Sequence, residues 1–399
     1  MAETKRDPVA EWATDFDHTH PDYAAAATEI WDDLRAGCPV AHSERFGGTW
    51  LPTRHEDIAA IAADTEHFTS QGVIVTEWRP DVPAPVGYAP PITSDPPFHA
   101  LARRVLLPYF SPKAMVRWEN TTRAMCRELL DTALADGATA FDAAADYAQH
   151  IPVRVIADML GLPRDDGDKF RGFIHRIIEV PGQVEVEQED TLDHYLKQIV
   201  ADRKAKPGDD LISYLLSADL DGVPLDEGHV EGTIGLLIIA GIDTTWSAIG
   251  ASLWHLAQHP EHLQRLRDDP EVIPFAVEEF LRFYAPVTMA RLVAEPVQIG
   301  DASMQPGDWC LLPFPAANRD PEFFERADEF VIDRAANRHS AFGLGIHRCI
   351  GSNLARLELR IALEEFVARI PSFELADPSA VRWSTGQVRG PRLLPVRLT

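Results

Sequence analysis

Residues 342–351 read FGLGIHRCIG and lead straight into a helical pattern. Three glycines in these ten residues let the backbone bend tightly and let a flat ligand approach it, because no Cβ intervenes. Cys349 then stands at the mouth of the next helix, where free backbone N–H groups and the positive end of the dipole favour a thiolate over a thiol. Such a thiolate suits a nucleophile, a redox sensor or a metal ligand, although an inert buried cysteine is the commoner case. A nucleophile needs a base, and His347 is two residues away, but no oxyanion loop accompanies it. Iron ligation asks for one thiolate, N–H donors beside it and glycine clearance for a macrocycle, all of which are present.

The helix that follows is expected over residues 351–370, with Ala355, Leu359, Ala362, Phe366 and Ile370 as its apolar stripe. Before the cysteine lies a meander rich in Pro, Asn, Arg and Asp, and before that residues 287–313 alternate like strands around a Gly307-Asp308 turn. Residues 271–284 form a helix ended by Pro286, and residues 229–258 a strongly apolar one stopped by Pro260. At roughly 30 residues the apolar helix covers about 45 Å, the width of a mid-sized domain, so it must be central. Further helical periodicity marks residues 23–36, 98–134, 152–160 and 168–205, with edge strands at 48–52 and 73–76 and a loop at 219–227. Seven prolines within residues 78–97 forbid regular helix and mark a long, shaped loop. No internal repeat or linker is visible, so one large domain over residues 1–399 is expected.

Composition narrows the function. Acidic residues number 62 against 37 basic ones, a formal net charge of −25 that repels phosphate backbones and anionic membranes. Four cysteines without a CxxC pair argue against structural zinc and a disulfide framework, and fit a reducing, cytoplasmic compartment. The N-terminus is charged, and the longest apolar run, residues 232–242, is about half a bilayer span. No membrane or nucleic-acid partner is expected.

Two further patterns stand out. Inside the apolar helix, AGIDTT (residues 240–245) introduces a glycine, a carboxylate and two hydroxyls. A mid-helix glycine costs about 1 kcal/mol relative to alanine, and a carboxylate in an apolar helix costs more unless partnered. That expense suggests function; a helix crossing at the glycine with threonines back-bonded to the preceding turn is the plainer explanation. Glu279 and Arg282 stand three apart on one helix face and can pair, which taken alone is weak evidence.

The cysteine segment resembles the haem-binding loop of the cytochrome P-450 family, whose pattern FxxGxxxCxG is matched by Phe342, Gly345, Cys349 and Gly351. AGIDTT resembles the family's oxygen-activation motif, and Glu279-x-x-Arg282 its ExxR motif, with Arg334 as third partner. The resemblance extends over essentially the whole chain and implies a mostly α fold, a single large helical domain with a small β subdomain. It implies haem b with Cys349 as the axial iron ligand, Phe342 packed near the sulfur, and His347, His99, Arg103 and Arg291 on the haem propionates. Thr244 would hydrogen-bond dioxygen at the iron and Asp243 would pass protons toward it, while small Ala240 leaves room for substrate. Ile92, Leu236, Ile239, Ala240 and Val287 are the implied substrate-facing positions, and residues 74–88, with Trp78 and Tyr88, a substrate lid. Glu279, Arg282 and Arg334 are assigned to scaffolding.

These features imply a soluble, bacterial-type monooxygenase that inserts one oxygen atom from O2 into a small hydrophobic substrate. Hydroxylation, epoxidation and oxidative dealkylation are all compatible with its motifs. The residues after 370 hold no flavin or iron–sulfur module, so no fused reductase is expected. Electrons should come from NAD(P)H through a ferredoxin and its reductase, or a flavodoxin-type donor. The expected docking face carries Arg104, Lys113, Arg348, Arg356 and Arg360. A peroxide-driven peroxygenase and a non-catalytic haem sensor are the competing readings; Asp243 and Thr244 favour dioxygen.

Overall fold

Asp226 caps the longest helix, its carboxylate accepting the His229 N–H at 2.7 Å, and the helix then runs from Glu227 to Leu256. A computed structural model describes residues 8–75, 88–179 and 187–399. By length and composition this central helix could cross a bilayer, yet 72% of its apolar window is buried in the fold, as befits a core helix. One side packs Trp246, Ile249 and Leu253 against Phe280, Leu359 and Phe366. The other side packs Ile234, Ile238 and Ile242 against Val155, Ile156 and Phe170. Helices His150–Leu160, Leu192–Ala205 and Ser352–Arg369 and the π-helical turn Ala143–Ala148 are its main neighbours.

Two glycines let other parts of the chain reach this helix. A Cβ on Gly241 would lie 2.6 Å from Ile156 Cδ1, so the mid-helix glycine marks the crossing with His150–Leu160. A Cβ on Gly232 would lie 2.3 Å from the Tyr88 carbonyl oxygen, and the neighbouring Thr233 hydroxyl donates to the Pro90 carbonyl at 3.1 Å. Tyr88 and Pro90 of the proline-rich segment are thereby held against the central helix.

The expected helices are present but more broken than periodicity suggests. Residues 98–134 divide at Ser111 into Phe98–Phe110 and Glu119–Ala133 with short turns between, because Ser111 caps a new start at Pro112. Residues 168–205 contain Gly167–Ile174, a π-turn at His175–Glu179 and Leu192–Ala205. The main sheet has the order Val40–Ser43, Thr49–Pro52, Trp309–Pro313, Thr288–Val293, Phe68–Thr69. Thr49–Pro52 is therefore an inner strand, not an edge. Residues 73–75 are not a strand; the Val73 carbonyl instead accepts from Ala290 N–H at 3.2 Å and Gln387 Nε2 at 2.5 Å. A three-stranded sheet joins Ala140–Asp142 to Phe373–Leu375 and Pro395–Leu398.

Beneath the cysteine loop sits a buried ion cluster. Arg282 donates to both carboxylate oxygens of Glu279 at 2.8 Å and to the carbonyls of Asn318, Ala327 and Glu329 at 2.7 to 2.9 Å. Arg334 Nε and Asn337 Nδ2 reach Glu279 at 3.0 Å, and the Val331 N–H at 2.8 Å. Glu278 ties the same helix to His339 at 3.0 Å and to Arg356 of the last helix at 2.6 Å. Glu279→Ala leaves two guanidinium groups without their counter-charge, and is expected to cost about 3–5 kcal/mol. Urea unfolding measures this directly, and a loss under about 1 kcal/mol would contradict the structural role.

Candidate active site

The last helix begins at Ser352, and the loop before it is folded by its own backbone. Cys349 N–H donates to the Phe342 carbonyl at 2.7 Å, and Gly343 and Gly345 take the left-handed φ values of 74° and 66°. A Cβ on Gly345 would lie 2.1 Å from the Ala62 carbonyl oxygen, so only glycine lets the loop close on helix His55–Ala63. Arg356 stacks on the Phe342 ring, 4.4 Å from its centroid.

This loop and the last helix form one wall of a largely apolar cleft, and the central helix forms another. Cys349 is exposed, but to the cleft rather than to the outer surface. Burial pushes its thiol up, opposed by the Gly351 N–H and by Arg103, Arg348 and Arg356. The dipole and N–H donors expected from the sequence are thus present, but burial outweighs them in the free thiol. A bound metal cation reverses that balance, since a coordinating thiol is deprotonated outright.

At one end of the cleft four basic side chains gather. Arg103, Arg291 and His347 line it, and the His99 ring lies 4.4 Å from that of His347. Burial, then the neighbouring Arg291, His99 and Arg103, lower the His347 pKa to about 2. Burial likewise lowers Arg291 to about 10, and lowers His99, which also feels Arg103. His99 Nε2 is buried without a hydrogen-bond partner among the described residues. His347 Nε2 lies 2.8 Å from the Ser70 hydroxyl, a positioning contact that the motif alone did not reveal. The nearby carboxylate of Asp95 is engaged by Ser70 N–H at 2.9 Å and by the Thr69 hydroxyl. One sulfur in a glycine-lined wall, two guanidinium groups and the orphaned buried His99 Nε2 fit a flat macrocycle carrying iron and two carboxylates.

On the central helix, Leu236, Leu237, Ala240, Gly241 and Thr244 line the cleft, with Ile92 and Val287 from other segments. Ile239 does not line it, contrary to the sequence expectation. At about 100° per residue it falls outside the arc from Leu236 to Thr245, and it packs into the apolar core beside Ile238. Leu237 occupies the place expected of it. Tyr88 is 63% exposed and does not line the cleft; Trp78 and most of the expected lid lie outside the described residues.

Thr244 donates its hydroxyl to the Ala240 carbonyl at 2.9 Å, so it is back-bonded and at the same time part of the cleft wall. Asp243 turns away from the cleft. Its Oδ1 accepts from Arg392 Nη2 at 2.5 Å, while Oδ2 has no partner among the described residues. Arg392 also donates to Glu179 at 2.5 Å and to the Ser247 hydroxyl at 3.0 Å, and Glu179 meets His175 Nδ1 at 2.7 Å. A second buried acid, Glu358, lines the cleft from the last helix with Oε2 unpartnered among the described residues, and burial holds its pKa well above the usual range. The sequence signal for it is weak: Glu358 stands one turn from Leu354 and next to Leu359 of the apolar stripe, in a helix that carries several other charges.

The match to the Cytochrome P450 family model spans residues 167–378. Among named relatives, Nocardicin C N-oxygenase of Nocardia uniformis is 34% identical, covering 94% of this chain and 95% of its own. Cytochrome P450 107B1 of Saccharopolyspora erythraea is 33% identical, covering 90% and 92%. The testosterone complex of CYP109E1 from Bacillus megaterium superposes with a TM-score of 0.85 at 29% identity, covering 95% of this chain and all of that one. PksS of Bacillus subtilis gives 0.85 at 30%, covering 96% and 100%. The chain therefore belongs to the cytochrome P450 family, and is an oxidoreductase of the bacterial haem-iron monooxygenase class.

Burial raises the Asp243 pKa from 3.8 to about 6, with Arg392 opposing and Glu179 reinforcing the shift. Between about pH 4 and 6 the native state holds this proton more tightly than the unfolded chain, so stability falls as pH rises through that window. Relative to Asp243→Asn, the wild-type chain should lose on the order of 2–3 kcal/mol from pH 4 to pH 7. Urea unfolding at each pH checks this; parallel profiles would contradict it.

Proposed function

We propose that Cys349 is the axial ligand of haem b, and that His99, Arg103, Arg291 and His347 hold its propionates. The observation that carries this reading is one cleft walled by the cysteine loop and lined by Arg103, Arg291 and His347, with the buried His99 Nε2 left without a hydrogen-bond partner among the described residues. Bound haem supplies the iron that activates dioxygen, with the thiolate donating electron density. Phe342 holds the loop through its carbonyl, Gly351 donates its N–H to the sulfur, and Ala240 keeps the opposite wall low.

Thr244 is the residue that presents a hydroxyl to the reacting oxygen, after exchanging its bond to the Ala240 carbonyl. Asp243 holds a proton at Oδ2 or releases it, according to its pairing with Arg392, and so feeds Thr244 from the far side of the helix. Ile92, Leu236, Leu237 and Val287 exclude water and orient a small hydrophobic molecule, into which one oxygen atom is inserted.

The whole chain, residues 1–399, is read as one haem domain working in the cytoplasm. It receives electrons that originate in NAD(P)H from a ferredoxin with its reductase, or from a flavodoxin-type donor. Of the basic residues expected on the docking face, Arg356 pairs with Glu278, Arg360 with Glu119 and Glu364, and Arg104 with Asp221. Exposed Lys113 and Arg348, with Leu107 48% exposed beside Arg103's helix turn, are left to meet the donor.

In the reduced, carbon monoxide-bound protein, the Soret band should lie far to the red, and Cys349→His should move it to the position seen in globins. A globin-like band in the wild type would reject thiolate ligation. Thr244→Ala should still consume reductant while releasing hydrogen peroxide, with product yield per electron falling about tenfold or more. Full coupling in that variant would remove Thr244 from proton delivery.

A further inference from the structure

Three histidines converge where the central helix ends, about three turns beyond Thr244. His255 lies in its last turn, His259 in the connection, and His262 in the first turn of helix Pro260–Asp268. One ring nitrogen of each lies within 4.8 Å of the other two. His255 is buried and its partners are half-buried. Neither the cleft nor the Glu279 cluster uses any of them.

We propose that His255, His259 and His262 form a binding site for a divalent transition-metal ion, with zinc as the ion that fits. The donor set is the first argument. Three imidazoles without thiolate select zinc, copper or nickel over calcium and magnesium, and zinc takes three such nitrogens plus water in a tetrahedron.

Geometry is the second. Zinc–nitrogen bonds of 2.0–2.1 Å place tetrahedral ligands about 3.4 Å apart. His255 Nε2 and His262 Nδ1 are 2.8 Å apart, so they need to part by only about half an ångström. The His259 nitrogen lies within 4.8 Å of the other two, so a side-chain movement of at most about 1.4 Å brings it to the same spacing.

The surrounding groups are the third argument. A histidine ligand is fixed by the hydrogen bond at its other nitrogen. His255 Nδ1 lies 2.7 Å from the Tyr284 hydroxyl, and His259 Nδ1 lies 3.2 Å from the Glu261 carboxylate. His255 Nε2 faces His262 Nδ1, and in His259 Nε2 is the nitrogen left for an ion. Phe280 and Phe330 wall the cluster, with ring centroids 5.5 Å and 4.0 Å from that of His255. The negative end of the 30-residue central helix favours a cation here, partly offset by the positive end of the helix that follows.

Zinc so placed clasps the end of the central helix to the next helix. Through Tyr284 it also reaches the end of helix Ile273–Phe283, which carries Glu279. Its role is structural and separate from the redox centre.

Tag-free, haem-loaded protein is stripped with EDTA, titrated with zinc by calorimetry, and assayed for metal after equilibrium dialysis. One zinc per haem iron is expected, with an upward shift of the thermal midpoint. His259→Gln and His262→Gln, prepared separately, should each weaken zinc binding at least tenfold while leaving the ferrous carbonyl spectrum unchanged. Absence of stoichiometric zinc binding by the wild type overturns the proposal. So does stoichiometric binding that survives both substitutions, which would put the ion elsewhere.

Discussion

Arg282 has five N–H donors and makes five hydrogen bonds, two to Glu279 and three to carbonyls of the segment before the cysteine loop. Both side chains are fully buried, so the pair bears a heavy desolvation penalty that only complete bonding offsets. The meander contains little regular structure of its own, and its shape is dictated by these carbonyls finding their donor. Arg334, Asn337 and the Val331 N–H complete the second half of the cluster on Glu279. The loop of Cys349 starts a few residues later, at Ser340, whose N–H is held by the Asn318 side chain at 2.6 Å. The presentation of the sulfur is therefore an outcome of charge satisfaction, reached through a chain of backbone contacts.

Much of the fold was legible where local signals are strong. The central helix was read to within two residues at each end, because its apolar run is long and Pro260 bars its continuation. The last helix and the 307–308 turn were equally plain. Small strands were harder: Val40–Ser43 and Phe68–Thr69 exist through partners more than 200 residues away in the case of Phe68, and no local pattern encodes that. At the site, the cysteine loop and the cleft-facing residues of the central helix were readable from spacing. Ile239, three residues beyond Leu236, turns away from the arc that lines the cleft, a distinction the family resemblance did not make.

What could not be read were the partners. Ser70 on His347 and Arg392 on Asp243 come from segments that are ordinary in sequence, and only the folded chain brings them into register. Asp243 also shows why the motif carries both readings at once. Gly241 serves a helix crossing and Thr244 is back-bonded, as a purely structural account requires, while the same turn lines the cleft. Packing and chemistry share the residues.

The Asp243–Arg392 pair spans 149 residues of sequence. As the chain leaves the ribosome, the carboxylate on the central helix emerges long before its counter-ion has been synthesised. Until then that face of the helix is stable only if the acid stays protonated or remains wetted, so final burial of the core's longest element waits until Arg392 has emerged. Folding order and charge balance are thus coupled in time as well as in space.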